Sequence, residues 1–460
     1  DKGDYDPTAA PMMNEPLDAL AGREYQGIVF VGPQRSSKTF GLIFGGITYI
    51  VTCAPGDTLV VQMTQDTARS FSRQDLDRVL KCSPALAERL SKRARDDNTY
   101  DKWFRTGMVL GIGWPSASQL ASKTLRYVFV TDYDRPENRD DVDGWGPLWD
   151  LAFKRVETYM SRGKCLAESS PGADVVQGDW EPGAAAPHEA PPAPGILSIY
   201  NNGTRGRWYW PCWHCNDLFQ AVPGYDLFGL PSFERQSQMV VEEDLESLVQ
   251  EYARVICPHC GGIHEPWMKP AMNAAGRWVH EGQRVDGARV IGDPRRTNVW
   301  SGWLGGVAAS YQRWDSMLRN WFQALSTYVR TSDEAPLRLA TTSDAGAAYV
   351  PRVIRNRRVA EDLVKRAEVW PRGTVPAGVR FLTAAADVQA SRFVVQVHGW
   401  GVGLEQWLVD RYDISASNRP EGDRFAALQP AAYSEDWLML QPALQRRYRY
   451  AETDIELPIL

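Results

Sequence analysis

The sequence predicts an α/β chain whose first half is built on a parallel sheet. From Gly27 to Pro171, short apolar runs suited to buried strands alternate with helical stretches, the pattern of a parallel sheet covered on both faces. A glycine-led loop, Gly32–Thr39 (GPQRSSKT), sits between one such run and a helical stretch. Further along, Tyr127–Asp134 (YVFVTDYD) is an apolar strand tipped with acids. A phosphate-binding loop and an acid-tipped strand are the two halves of a nucleotide site.

Gly27–Val31 (GIVFV) is apolar throughout, as a buried parallel strand requires. The loop that follows has the form G-x4-S-K-T, with Ser37 where a second glycine normally stands and where the backbone must approach phosphate closely. Phe40–Val51 is long enough for a helix despite its glycines. That context places backbone N–H groups at a helix N-terminus, where the dipole favours negative charge. Gly32, Gln34, Arg35, Ser36, Ser37, Lys38 and Thr39 are therefore the expected contacts to ATP. Lys38 is expected to reach the β and γ phosphates, and Thr39 to hold Mg²⁺ through its hydroxyl. Arg35 has two readings: it stabilises the transferring charge, or it pairs with a neighbouring acid.

Thr58–Gln62 reads as a second strand, followed by a polar helix over Asp66–Leu80 with Thr64 as its cap. Leu125–Thr131 is a third strand, Leu148–Met160 a helix and Lys164–Glu168 a fourth strand. Strand geometry makes Asp132 the metal-side acid and Asp134 the candidate for activating water, because Tyr133 cannot act as a base at neutral pH. The alternative is a solvated acidic turn. Ser169 and Ser170 follow Glu168 at the next strand end, where P-loop proteins place a polar residue that senses the γ-phosphate.

Gly172–Gly195 is rich in proline and alanine and suits an exposed loop. Beyond it lie Cys212-Trp-His-Cys215 and Cys257-Pro-His-Cys260. Paired C-x2-C knuckles supply four thiolates to one tetrahedral Zn²⁺, leaving no position for water, so the zinc would be structural. Separate redox pairs are the alternative. His214 and His259 are expected outside the ligand set, and Cys53, Cys82 and Cys165 at buried apolar positions. A basic segment, Arg352–Arg366, either touches phosphates or forms a solvated helix face. Strand candidates follow at Val379–Ala384, Phe393–Val397 and Gln406–Val409. Asp387 stands at the end of the first, as the leading acid of a two-metal nuclease does, although one carboxylate cannot hold two metals. Asp410, on a neighbouring strand candidate, either contributes a second acid or is an exposed strand acid, and the second reading is preferred.

At 460 residues the chain is too long for one ordinary core. The expected division is 1–195 for the P-loop part, 196–370 for a zinc-bearing region that completes it, and 371–460 for a further domain. Hydrophobic content of 43% and charged content of 23% fit a folded, water-exposed chain without a bilayer-spanning run. The chain opens on Asp1 rather than Met, without a secretory signal, and is expected to begin inside a longer one. Its seven cysteines form no secreted disulfide scaffold. A net charge of −6 argues against a generally basic nucleic-acid coat, while leaving DNA binding by a local patch open.

These segments together resemble the large terminase subunit of tailed phages, of the lambda-like GpA family. The resemblance runs over nearly the whole chain. It includes the P-loop, SKTLRYVFVTDYDRPE (122–137), ESSPG (168–172), TRGRWYWPCWHC (204–215), ICPHCGG (256–262) and FLTAAADVQASRFVVQVHGWG (381–401). It implies a RecA-like (ASCE) P-loop ATPase domain with a zinc-binding region, followed by an RNase H-like α/β nuclease domain opened by Asp387 as a Mg²⁺ or Mn²⁺ ligand. Many relatives carry Asp-Glu at the end of the acid-tipped strand. An ungapped match puts Thr131 and Asp132 there, which makes Asp132 the catalytic acid, so the roles of Asp132 and Asp134 stay open at this point. Relatives carry a further nuclease acid just past a strand resembling Ile455–Leu460, so the nuclease domain is expected to be incomplete within these 460 residues.

The implied activity is ATP-driven translocation of double-stranded DNA joined to endonucleolytic cutting of concatemeric viral DNA. The implied partners are a small subunit, the portal of a procapsid and further copies in a ring, in the host cytoplasm and away from membranes. A zinc-bearing P-loop helicase or repair ATPase is one rival, but no second motor domain is visible. A non-hydrolysing nucleotide switch is the other.

Overall fold

The computed structural model describes residues 6–93, 98–120, 124–355, 368, 370–421, 424–451 and 453–460. They fall into two compact units, Asp1–Arg357 and Arg358–Leu460.

A ten-stranded sheet organises the first unit. Its strands in chain order are β1 (Gly27–Val31), β2 (Thr58–Val61), β3 (Asp101–Trp103), β4 (Val109–Gly113), β5 (Tyr127–Val130), β6 (Lys164–Ser169), β7 (Gly206–Pro211), β8 (Leu218–Gln220), β9 (Arg277–Val279) and β10 (Val299–Trp303). Their spatial order is β9-β7-β10-β1-β6-β5-β2-β4-β3, with β8 also on β7. Everything from β7 to β4 is parallel; β3, β8 and β9 add antiparallel edges.

Alternation along the central strands fills both faces. Ile28, Phe30, Tyr127 and Phe129 pack on one side with Leu42, Ile47 and Trp300. Val29, Val31, Val128 and Val130 pack on the other with Leu148, Ile196 and Tyr200. Each such side chain contributes roughly 1.5–3 kcal/mol, so the strands beneath the loop are firmly fixed.

The helix after the loop starts at Lys38, earlier than its apolar pattern suggests. A wide π turn, Lys38–Phe44, leads into an α-helix, Gly45–Cys53. A Cβ on Gly46 would stand 3.0 Å from Phe129 and Leu20 carbons, so glycine is what lets the helix settle onto β5. The helical stretch from Gln65 to Cys82 opens at Thr64 as expected. Thr64 Oγ1 accepts from the Thr67 N–H at 3.2 Å, and Thr67 Oγ1 from the Thr64 N–H at 2.8 Å.

Beyond residue 195, β7 to β10 join the sheet that carries the P-loop strand. Several expectations need correction. The 172–195 segment has no regular element, yet it is not simply exposed. His188, Ala190 and Ala193 are buried, and the Asn201 side chain brackets the Ala190 backbone at 2.8 and 3.0 Å. Cys165 is buried, whereas Cys53 and Cys82 lie exposed at helix ends. Of the basic segment, 356–366 lies outside the described residues; the Arg352 guanidinium stacks on the Phe233 ring at 3.2 Å.

In the second unit, β11 (Phe381–Gln389), β12 (Arg392–Trp400) and β13 (Gln406–Ile414) form an antiparallel meander. β14 (Arg447–Tyr450) pairs with β15 (Glu456–Pro458), and Ile459 bridges Leu382 in parallel. Leu382, Val395, Val397, Val409 and Tyr448 supply the core. Asp410 is buried here, contrary to expectation. It lies opposite Val397, a core position. Arg372 Nε at 2.6 Å, Arg446 at 3.2 Å and the Tyr448 hydroxyl at 3.1 Å satisfy it.

Candidate nucleotide site and metal-ligating residues

The loop leaves β1 at the end where the parallel strands finish, and two later segments of the same chain hold it. The Gly32 N–H donates to Ser169 O at 3.0 Å, and the Gln34 N–H to Ser343 O at 2.8 Å. Ser36 is buried, its hydroxyl donating to Pro33 O at 2.8 Å. Arg35 and Ser37 have φ of 61° and 77°. Ser37 thus takes the glycine-favoured conformation without being glycine, at a cost of roughly 1–3 kcal/mol. Gly41 makes room for it: a Cβ there would stand 2.9 Å from Ser37 Oγ. The Arg35 guanidinium donates to the Gln312 side-chain oxygen at 3.2 Å. Thr39 stands exposed at the helix start.

Lys38 is buried and folds back over the loop, with Nζ donating to Pro33 O at 2.8 Å and Gly32 O at 3.2 Å. It lies 3.9 Å from Glu168 Oε2. Glu168 sits at the end of β6, in register with Phe30 of β1, and is buried. Burial pushes its carboxyl up to about 7; the Lys38 ammonium opposes the rise, and the charge of Asp132 adds to it. Its Oε1 accepts from the Asp132 N–H at 3.2 Å. Lys38, Glu168 and Asp132 therefore converge from neighbouring parallel strands. Asp132 carries φ 48°, a turn that carries it off the end of β5. Thr131 before it is buried, its hydroxyl donating to Val61 O at 3.3 Å.

Asp134 is placed otherwise. Its Oδ1 accepts from the Ile196 N–H at 2.7 Å and faces Arg139 at 3.3 Å. Its Oδ2 accepts from Gly172 and Ala173 N–H at 2.8 and 3.4 Å. Burial raises its pKa against the pull of these donors. The Ser169 hydroxyl accepts the Asp134 N–H at 3.1 Å and donates to Ser170 O at 2.8 Å. Ser169 and Asp134 thus hold one another, and Ser169 alternates with Glu168, away from the face that carries Lys38. Glu168 is the residue that sequence reading missed. The available signal was one acid inside an otherwise buried strand neighbouring the P-loop strand.

The four knuckle cysteines come together. Sulfur atoms of Cys212, Cys215, Cys257 and Cys260 lie within 4.8 Å of one another, and those of Cys212 and Cys260 are 3.7 Å apart. Tetrahedral zinc with Zn–S near ~2.3 Å requires sulfurs about 3.8 Å apart, so this set fits the ion. The Gly262 N–H donates to Cys260 Sγ at 3.4 Å and draws that thiol down to about 7. His214 is turned away, its ring on Ile263 O at 2.9 Å, and His259 is exposed. In the second unit, Asp387 is exposed on β11, with the Gln389 amide donating to Oδ2 at 3.1 Å.

A family model described as phage terminase large subunit gpA, ATPase domain, matches residues 1–278. One described as terminase large subunit gpA, endonuclease domain, matches 300–460. The chain belongs to the phage terminase large subunit gpA family. Similar curated proteins are the terminase large subunits of Enterobacteria phage P21, 24% identical over 89% of this chain, and of Escherichia phage lambda, 23% identical over 83%. The terminase chain spans 58% and 55% of those relatives' lengths. Among solved structures it aligns with the HK97 bacteriophage large terminase, at 11% identity over 90% of this chain and 63% of that one, with a TM-score of 0.34.

The two matched regions do not coincide with the compact units of this terminase chain. The endonuclease match begins inside β10, which lies beside β1 in the sheet of the first unit.

Proposed function

We propose that this terminase chain hydrolyses ATP to drive double-stranded DNA and, through its second unit, cuts that DNA with Mg²⁺ or Mn²⁺. The observation that carries the ATPase reading is the meeting of Lys38, Glu168 and Asp132 at the ends of three parallel strands. The order β10-β1-β6-β5-β2 supports a RecA-like sheet, with the acid-tipped strand one removed from the P-loop strand. Bound ATP with Mg²⁺ would supply the transferable phosphoryl group and its charge neutralisation. Lys38 then exchanges its loop carbonyls for phosphate oxygens. Thr39 would hold the metal through its hydroxyl, and Asp132 would take a proton from the attacking water. Asp134 and Ser169 hold the strand ends in place rather than touching the nucleotide.

Structural zinc on Cys212, Cys215, Cys257 and Cys260 would fix the end of β7, and Asp387 would be a nuclease metal ligand on an RNase H-like meander. Acting with a small subunit and a procapsid portal, as a ring in the host cytoplasm, fits this reading. ATP turnover measured with and without linear double-stranded DNA tests it. DNA should raise the turnover, and turnover absent under both conditions would refute the motor reading.

A further inference from the structure

We propose that Glu168 is a Mg²⁺-side acid of the nucleotide site, supplying the carboxylate that Thr131 does not. The inference rests on the ATPase reading and adds a residue to it. At the end of β5, Thr131 has no carboxylate and commits its hydroxyl to Val61 O. Asp134 is held by Ile196, Gly172 and Arg139. That leaves Asp132 as the acid of this strand end beside the loop.

Glu168 alternates onto the face shared by Phe30 and the helix behind the loop, and its Oε2 lies 3.9 Å from Lys38 Nζ. The P-loop lysine meets the β and γ phosphates, and the metal bridges the same phosphates. A carboxylate this close to that ammonium therefore lies within reach of the metal. The two oxygens of Glu168 are also unequal. Oε1 accepts from the Asp132 N–H, whereas Oε2 is buried without a hydrogen-bond partner. A buried carboxylate oxygen left so is costly, and a cation satisfies it. Mg²⁺ takes oxygen ligands, typically one or two carboxylates together with phosphates and water. Thr39 and Glu168 offer that donor set. When nucleotide draws Lys38 onto its phosphates, Glu168 exchanges an ammonium partner for a divalent one.

The test is Mn²⁺ binding, followed by electron paramagnetic resonance in the presence of a non-hydrolysable ATP analogue. Wild type, Glu168→Gln and Glu168→Asp are compared, and affinity for a fluorescent ATP analogue is measured in excess EDTA alongside. Glu168→Gln keeps the shape and the acceptor for the Asp132 N–H, so metal-free nucleotide affinity should be unchanged or tighter. Its Mn²⁺ requirement should rise by roughly 10–100-fold, and Glu168→Asp should fall between. A Glu168→Gln protein with wild-type Mn²⁺ affinity overturns the proposal. So does one that loses metal-free nucleotide binding to the same extent, because Glu168 would then be shaping the loop. A wild-type chain that binds no nucleotide under either condition overturns the ATPase reading as well, an outcome separate from the other two.

Discussion

Asp134→Ala should destabilise the first unit far more than it alters chemistry. In the folded chain this carboxylate accepts short hydrogen bonds from the Ile196 and Gly172 N–H groups, at 2.7 and 2.8 Å. Ile196 opens the helix Ile196–Asn202, which packs beneath β1. Truncation leaves the buried Ile196 donor and the half-buried Gly172 donor without an acceptor, at roughly 1–3 kcal/mol for the first and less for the second. Arg139 keeps Asp140 at 2.8 Å and adds less. Asp132→Asn is the comparison, because asparagine tolerates the left-handed φ of 48° at that position. Urea unfolding followed by tryptophan fluorescence, with ATP turnover measured well below the transition, separates the two effects. Asp134→Ala should unfold at clearly lower urea while the folded fraction still turns over ATP. Asp132→Asn should unfold like wild type and turn over almost none. An Asp134→Ala protein with wild-type unfolding and no turnover would make Asp134 the catalytic acid.

Elemental analysis should find one zinc per chain. Its removal should raise hydrogen exchange at 212–217 and 257–262 before β1, and pairs that stay protected without metal would exclude zinc as their organiser. In a chain that carries the further nuclease acid, Asp387→Ala should abolish Mg²⁺- or Mn²⁺-dependent cutting of linear double-stranded DNA while ATP turnover continues; undiminished cutting would remove Asp387 from the nuclease site. Lys269, buried with its ammonium on Gln312 O, has its pKa drawn down by burial to about 7 from 10.5. The unfolded chain therefore holds a proton there that the folded chain releases, and stability should rise as pH climbs from about 7 towards 10.5. Lys269→Met should flatten that rise, and an unchanged slope would show that the lysine stays charged when folded.

What the sequence made legible was whatever a single segment determines. β1 and β5 could be read because a parallel strand covered on both faces must be apolar along its whole length. The cysteine pairs could be read because the spacing within each knuckle already constrains two ligands. The hold on Asp134 was not legible because its partners, Gly172 and Ile196, are 38 and 62 residues away. Glu168 was passed over because its role depends on β6 lying beside β1 in one register, with Glu168 opposite Phe30. The zinc-bearing region was legible as completing the P-loop part, but not how: Trp210 and Cys212 share the main core with Phe30, a continuity created by long-range strand pairing.

The central claim is that Lys38 and the acids beside it hydrolyse ATP. Steady-state phosphate release by Lys38→Ala, beside its urea unfolding curve, tests this most directly. Removing the ammonium from the transferring phosphates should lower turnover by at least ~10²-fold, with the unfolding transition still cooperative. Wild-type turnover in a folded Lys38→Ala protein would contradict the account, because the loop would then not be the site of hydrolysis.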